Sequence, residues 1–135
     1  MSKLDEYKLL IERSRRFLET ARMQMDKGFY DLAVFSLEQS LQLYLKASLL
    51  KLGVDYPRTH SVRKLLELLG ELAESEEVRE LLSKYAVELG ALEDAYITSS
   101  YIPKEYALEE ASRLFQVVVR MMEVVERAVG KGGQV

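Results

Sequence analysis

Residues 29–53 constrain the fold most, because their helical spacing places apolar side chains on nearly every side. A helix that is apolar all round is usually central and contacted from several directions. Small side chains that recur along one face let a neighbouring backbone come close. The small face consists of Ala33, Ser36, Ser40 and Ala47, and a bulky face beside it consists of Leu37, Leu41 and Tyr44. We therefore predict that this helix lies at the centre of the molecule.

A third strip of the same helix mixes apolar with polar side chains. It carries Gln39, Gln42 and Lys46. Buried amides and ammonium groups are costly unless they are paired. Two interpretations stay open: the three side chains cross-link helices or line a wet dimer seam, or they line a ligand pocket. Pairing of Lys46 with Asp94 on a later helix would satisfy the charge without a ligand.

Composition limits the class of protein. The chain has 135 residues, no Cys, one His and two Pro, which suits one helical domain with a sizeable core. Disulfide and thiolate chemistry are excluded, and neither a structural zinc site nor a cofactor is expected. The net charge of −3 gives no general argument for nucleic acid or a membrane surface. The charged start is unlike a signal peptide, and no apolar run reaches about 20 residues, so we expect a cytoplasmic protein.

Helical spacing extends over most of the chain. We predict an all-α fold, an up-and-down antiparallel bundle of four long helices plus one short helix. Residues 1–129 would form a single domain, and residues 130–135 a disordered tail. The predicted helices cover residues 3–26, 30–53, 61–73 (the short one), 75–97 and 106–129.

Two irregular segments, 53–60 and 97–106, interrupt this pattern. Successive helices of a bundle alternate in direction, so both segments are predicted to lie at one end. Loops on a rigid scaffold often carry functional groups. The candidate ligand-binding residues are Gln39, Gln42, Lys46, Arg58, His60, Asp94, Ser100 and Tyr101.

Several alternatives stay open for these residues. His60 could cap a helix or bond to the backbone, contact a ligand or phosphate, or act as a general base. The arginines and lysine of the first helix, among them Arg15 and Arg16, form either a solvated face or a phosphate-binding surface. The sequence contains no glycine-rich phosphate loop, catalytic triad or metal constellation.

The order and spacing of several short motifs resemble the HEPN domain family over about residues 5–128. The motifs are G-x-Y-D-x-A at 28–33, Gln39, L-K-A-x-L-L-x-x-G at 45–53, T-H-S-V at 59–62, and A-L-E-D-A-Y-I-T-S-S-Y-I-P at 91–103. The resemblance implies a helical bundle that is commonly dimeric. It also implies one of three roles: partner of a minimal nucleotidyltransferase encoded beside it in a prokaryotic toxin–antitoxin-type pair, nucleotide-binding module, or ribonuclease.

The chain departs from this family at the residues that would perform catalysis. Ribonuclease members carry Arg, then four to six residues, then His, whereas the positions before His60 hold Gly53, Val54 and Asp55, and Arg58 is too close. Ser100 replaces an Arg found in related members. We therefore predict a non-catalytic HEPN dimer that binds a protein partner, a minimal nucleotidyltransferase, with or without a nucleotide; the alternatives are a nucleotide- or RNA-binding module and a weak ribonuclease toxin.

Overall fold

Side-chain caps and glycine turns divide the chain into helices. The hydroxyls of Ser2, Ser61 and Ser75 each accept a hydrogen bond from a backbone N–H in the first turn of the helix that follows. Gly28 and Gly53 follow helix ends with φ of 77° and 87°, a left-handed conformation that favours glycine. Ser61 and Ser75 each lie directly before the first residue of the helix that they cap.

The computed structural model describes residues 1–98 and 104–132, and these residues contain six helices and no strand. The all-α prediction is confirmed, but the count of four long helices plus one short one is not matched. The helices are α1 (Lys3–Asp26), α2 (Tyr30–Lys51), α3 (Val62–Leu72), α4 (Glu76–Lys84), α5 (Ala86–Thr98) and α6 (Leu108–Gly132).

The extra helix arises from a break at Tyr85. The sequence predicts one helix over 75–97, whereas α4 ends at Lys84 and α5 begins at Ala86. Tyr85 has φ −114° and ψ 31°, which is not helical, although its N–H still donates to the Leu81 carbonyl. Its ring is buried, and the Arg113 guanidinium of α6 lies 5.9 Å from the ring centroid. Tertiary packing of one aromatic side chain therefore accompanies the break, and no Gly or Pro marks it in the sequence.

The C-terminal helix ends three residues later than predicted. The disordered tail was predicted to begin at residue 130, whereas α6 continues to Gly132. Val129, one residue before the predicted tail, is 2% exposed and anchors this turn to the core. Helix propagation adds one hydrogen bond per residue, so a helix anchored by packing can run on through residues of low propensity. Residues 133–135 lie outside the described part of the chain.

Helix α2 is central, as its apolar circumference predicts. It buries 13 of its 22 residues and packs against α1, α3, α5 and α6. Its bulky residues Leu37, Leu41 and Leu45 are wholly buried in the main core. The whole molecule is therefore built around the helix that also carries the polar strip.

The small face of α2 contacts α1 closely. The Ser14 hydroxyl donates to the Ser40 carbonyl and the Ser40 hydroxyl donates to the Ser14 carbonyl, both at 2.7 Å. One turn earlier on α2, the Ser36 hydroxyl donates to Gln24 Oε1 of α1 at 2.7 Å. The residue number of the partner on α2 falls, from 40 to 36, as the residue number on α1 rises from 14 to 24, so the two helices are antiparallel. The reciprocal serine pair satisfies both hydroxyls at a contact too tight for larger side chains.

The Ser40→Leu variant is expected to lose roughly 1–3 kcal/mol of stability, because added methylenes would push α1 away from α2. Ser40 is completely buried, whereas Ser83 on α4 is exposed. The matched control is therefore Ser83→Leu. Urea unfolding followed by circular dichroism would measure both variants, and equal midpoints for Ser40→Leu and the wild-type protein would contradict the close contact.

Candidate functional site

The polar strip of α2 is organised around Glu38, a side chain with no exposed surface. Gln39 Nε2 donates to one carboxyl oxygen, Oε1, at 2.7 Å. Gln42 Nε2 donates to the other, Oε2, at 2.8 Å. Both oxygens of the buried carboxylate are thus satisfied by amides of the same helix, which is the condition for keeping such a group inside a core.

Gln42 passes the network on to two basic side chains. Its Nε2 is committed to Glu38, so its Oε1 is the acceptor for the rest of the network. Lys46 Nζ donates to this oxygen at 3.0 Å, and His60 Nδ1 lies 3.1 Å from it. Because an oxygen can only accept, the proton of this last hydrogen bond is assigned to His60 Nδ1.

Burial raises the pKa of Glu38 from 4.5 to about 7, although the hydrogen bonds from Gln42 and Gln39 and the charge of Lys46 act in the opposite direction. The carboxylate of Glu93 on α5 adds to the increase. Burial also lowers the pKa of Lys46, while the charge of Glu38 opposes that change. The strip therefore contains a carboxyl group that changes its ionisation state near neutral pH.

The segment after α2 brings His60 to the middle of that helix. Gly53 is held at the end of α2, where Lys3 Nζ donates to its carbonyl. His60 contacts Gln42, which lies 11 residues before Gly53, or about 16 Å along a helix. The imidazole also stacks on Tyr96 of α5, with ring centroids 4.6 Å apart and an interplanar angle of 29°. Among the described residues, the first irregular segment and the end of α5 therefore meet beside α2.

Lys46 does not pair with Asp94, the possibility that the sequence left open. Its ammonium bonds to Gln42 and lies 5.5 Å from the ring centroid of Tyr56. Asp94 is exposed on α5. The neighbouring residue Glu93 is the one that turns inward, where it accepts from the Ser61 hydroxyl at 2.5 Å and pairs with Arg63. The carboxylate facing Lys46 is supplied by α2 itself, at Glu38.

Of the other predicted site residues that the structure describes, Arg58 and Asp94 are not part of this network. Arg58 is exposed and makes no hydrogen bond or ion pair with the described residues. Ser100 and Tyr101 lie outside the described part of the chain. The structure thus brings together four of the eight predicted residues through side-chain hydrogen bonds. Gln39 and Gln42 both bond to Glu38, and Lys46 and His60 both bond to Gln42.

Glu38 was missed in the sequence, although a signal for it exists. Glu38, Gln42 and Lys46 are spaced four residues apart, so they lie on one stripe of the helix. An acidic, an amide and a basic side chain at this spacing can bond in series. This four-residue spacing would therefore have pointed to Glu38 as the carboxylate at the start of the series.

The fold and this site define an all-helical domain with a polar network buried in its central helix. The family model for the HEPN domain matches residues 7–128, which is most of the chain. The chain therefore belongs to the HEPN domain family, as the sequence motifs indicate. No curated protein matches the chain.

Two further findings bear on the chemistry of the site. Within residues 1–98 and 104–132, no cluster of three or more His, Asp or Glu side chains is arranged to hold a metal ion. None of the helices described for this chain has both the length and the apolarity needed to cross a membrane.

Proposed function

We propose that this chain is a non-catalytic HEPN homodimer that binds a protein partner, a minimal nucleotidyltransferase encoded beside it. The observation that supports the non-catalytic assignment is that the side chains of the polar strip hydrogen-bond to one another. Glu38, Gln42 and Lys46 satisfy one another on α2, and His60 bonds into the same series. These groups bond to one another rather than present an unpaired acid and base to a substrate. The chain also lacks the Arg–His spacing of ribonuclease members.

An apolar surface at the start of α2 supports the partner-binding role. Burial raises the pKa of Tyr106, and the carboxylates of Asp94, Glu110 and Asp31 add to the increase. These three carboxylates belong to α5, α6 and α2, so the ends of three helices lie near Tyr106. Large apolar side chains beside these groups remain exposed. They are Leu32 (50% exposed), Ile97 (62%) and Leu108 (49%). We take these three residues as the candidate interface, the apolar surface, because exposed apolar groups gathered at one place are typical of protein interfaces.

Coexpression with the product of the neighbouring nucleotidyltransferase gene tests this proposal. We expect a complex of fixed stoichiometry by size-exclusion chromatography with light scattering, and a dimer when the chain is alone. Leu32→Asp should weaken at least one of these associations about tenfold or more, because it places a charge in the apolar surface. Val87→Asp is the matched control, since Val87 is 82% exposed on α5 and lies outside this surface. A monomer that binds no nucleotidyltransferase would contradict the proposal.

A second candidate function is nucleotide or RNA binding beside His60, and a specific observation favours it. The exposed imidazole stacks on Tyr96, and Arg58 nearby in sequence has an uncommitted guanidinium among the described residues. Aromatic and cationic groups of this kind can hold a base and a phosphate. Calorimetry with ATP and with a short RNA tests it, and the absence of heat would count against it. If His60→Ala leaves RNase activity unchanged, the ribonuclease alternative also fails.

A further inference from the structure

A groove lies where α1 and α2 meet, beside Gln39. Its volume is about 520 Å³, within the range of about 300–1,000 Å³ that is common for ligand pockets. The lining residues come from about two turns of α1 and from the neighbouring part of α2. They are Arg13, Arg16, Phe17, Thr20, Gln39 and Leu43. The partner and nucleotide surfaces described above include none of them.

The groove combines positive charge with an apolar surface. Arg13 is exposed and makes no hydrogen bond or ion pair with any described residue. Arg16 pairs only with Glu12 of its own helix, at 3.3 Å between two exposed side chains, which is a weak interaction in water. Phe17 and Leu43 are half-buried between these charges. The chemistry suits an organic anion whose charged group meets the guanidinium groups and whose apolar part covers Phe17.

Gln39 connects this groove to the buried carboxyl of Glu38. The two amides that bond to Glu38 are not equally free to turn. Gln42 is fixed in orientation, because its oxygen also accepts from Lys46 and faces His60. The only hydrogen bond of the Gln39 side chain in the described structure is the one it donates to Glu38. When Glu38 gains a proton, one carboxyl oxygen becomes a donor and one amide must present its oxygen instead. Gln39 turns at the lower cost, and the proton is placed on Oε1.

We propose that this groove binds an organic anion and that Gln39 couples its binding to uptake of a proton by Glu38. In the ionised state of Glu38, the Gln39 N–H groups point to the carboxylate. In the neutral state the Gln39 oxygen accepts the Glu38 O–H, and its N–H groups turn toward the groove, where they can donate to the anion. The proposal stands independently of the nucleotidyltransferase and nucleotide roles, since it uses another surface.

The direction of the pH dependence follows from the charges around Glu38. The groups that face it are Lys46 on α2 and Glu93 on α5, with His60 connected through Gln42. A bound anion adds negative charge near Glu38 and favours its neutral form. Because the pKa of Glu38 is already raised to about 7, the coupling operates near neutral pH. Anion affinity should therefore increase as pH falls from about 8 to about 6, with net uptake of up to one proton.

Calorimetry with benzenesulfonate tests both parts of the proposal, because this anion keeps its single charge over the whole pH range. Titrations at pH 7 in buffers of different ionisation enthalpy should show proton uptake on binding. Arg13→Ala should weaken binding about tenfold, and Arg13→Ala/Arg16→Ala should remove it. Arg120→Ala, an exposed arginine on α6, is the matched control and should bind normally. The absence of wild-type binding, or equal affinity of the double variant, would overturn the groove assignment.

The coupling itself is tested by variants that leave the arginines in place. Glu38→Gln should bind benzenesulfonate without proton uptake. Gln39→Leu, at a half-buried position, should reduce the proton uptake; it keeps the ionisable carboxyl of Glu38 but removes one of the two amide donors to it. Wild-type binding without proton uptake, or uptake in Gln39→Leu equal to that of the wild-type protein, would overturn the coupling through Gln39. His60→Ala should leave binding and uptake intact, and loss of binding in that variant would assign the anion to the other surface.

Discussion

The Glu38→Gln variant is expected to gain about 3 kcal/mol of stability relative to the wild-type protein as pH rises from about 4.5 to above 7. The pKa of Glu38 rises from 4.5 to about 7 in the folded protein because the carboxyl is buried. A raised pKa of this kind contributes stability that is present in full below 4.5 and is lost as pH rises through 7. Each pH unit between the two values is worth about 1.4 kcal/mol. The glutamine, which cannot ionise, escapes this loss.

Other carboxylates also titrate in this range, so the quantity to measure is the difference between the two proteins. Urea unfolding at pH 4, 5, 6, 7 and 8 (roughly the range over which Glu38 titrates in one state or the other) gives that difference. Glu67→Gln is the matched control, because Glu67 is exposed on α3. A difference between Glu38→Gln and the wild-type protein that stays constant from the lowest to the highest pH would show that Glu38 ionises normally in the folded state.

The Gln42→Leu variant is expected to lose about 3 kcal/mol of stability above neutral pH. The leucine fills similar space, but the buried Glu38 Oε2 loses its donor, and Lys46 and His60 lose their common acceptor. An ionised carboxylate without its hydrogen bond carries most of this cost. The loss should therefore be smaller at pH 5, roughly half or less, where Glu38 is neutral in the folded protein.

Chemical unfolding at the two pH values measures this effect, with Gln116→Leu on the exposed side of α6 as the control. A second comparison isolates the network. Replacing both partners by apolar residues can be nearly neutral, so Glu38→Leu/Gln42→Leu should be more stable than Gln42→Leu alone. A double variant that is less stable than the single one would mean that Gln42 acts through packing rather than through Glu38.

Much of the central helix could be predicted from its sequence. An apolar circumference implies burial from several sides, and α2 packs against four helices. Small residues at helical spacing imply a close neighbour, and Ser40 meets Ser14 through two reciprocal hydrogen bonds. The polar strip was also predicted at Gln39, Gln42 and Lys46. These features belong to a single helix, so the sequence of that helix shows them as a periodic pattern.

Glu38 lies on the same helix as Gln42 and Lys46 and could have been found from its four-residue spacing, whereas the other missed features depend on contacts between helices. The sequence left open that Asp94 supplies the charge that faces Lys46, because opposite charges on two helices are a natural pair. The structure uses Glu38 instead, and Asp94 stays exposed because Glu93 is the residue that turns toward Ser61 and Arg63. The break at Tyr85 likewise accompanies the packing of one ring against α6. No Gly or Pro marks this break in the sequence. One-dimensional patterns do not determine which of two adjacent side chains turns inward.

The most direct test of the network is the titration of the Glu38 carboxyl group itself. The side-chain carboxyl carbon of Glu38 can be followed by NMR as pH is raised, and the signal is assigned by its absence in Glu38→Gln. If the carboxyl is buried between the amides of Gln39 and Gln42, its titration midpoint should lie near 7. A midpoint near 4.5, the ordinary value for glutamate, would contradict the buried network at the centre of α2.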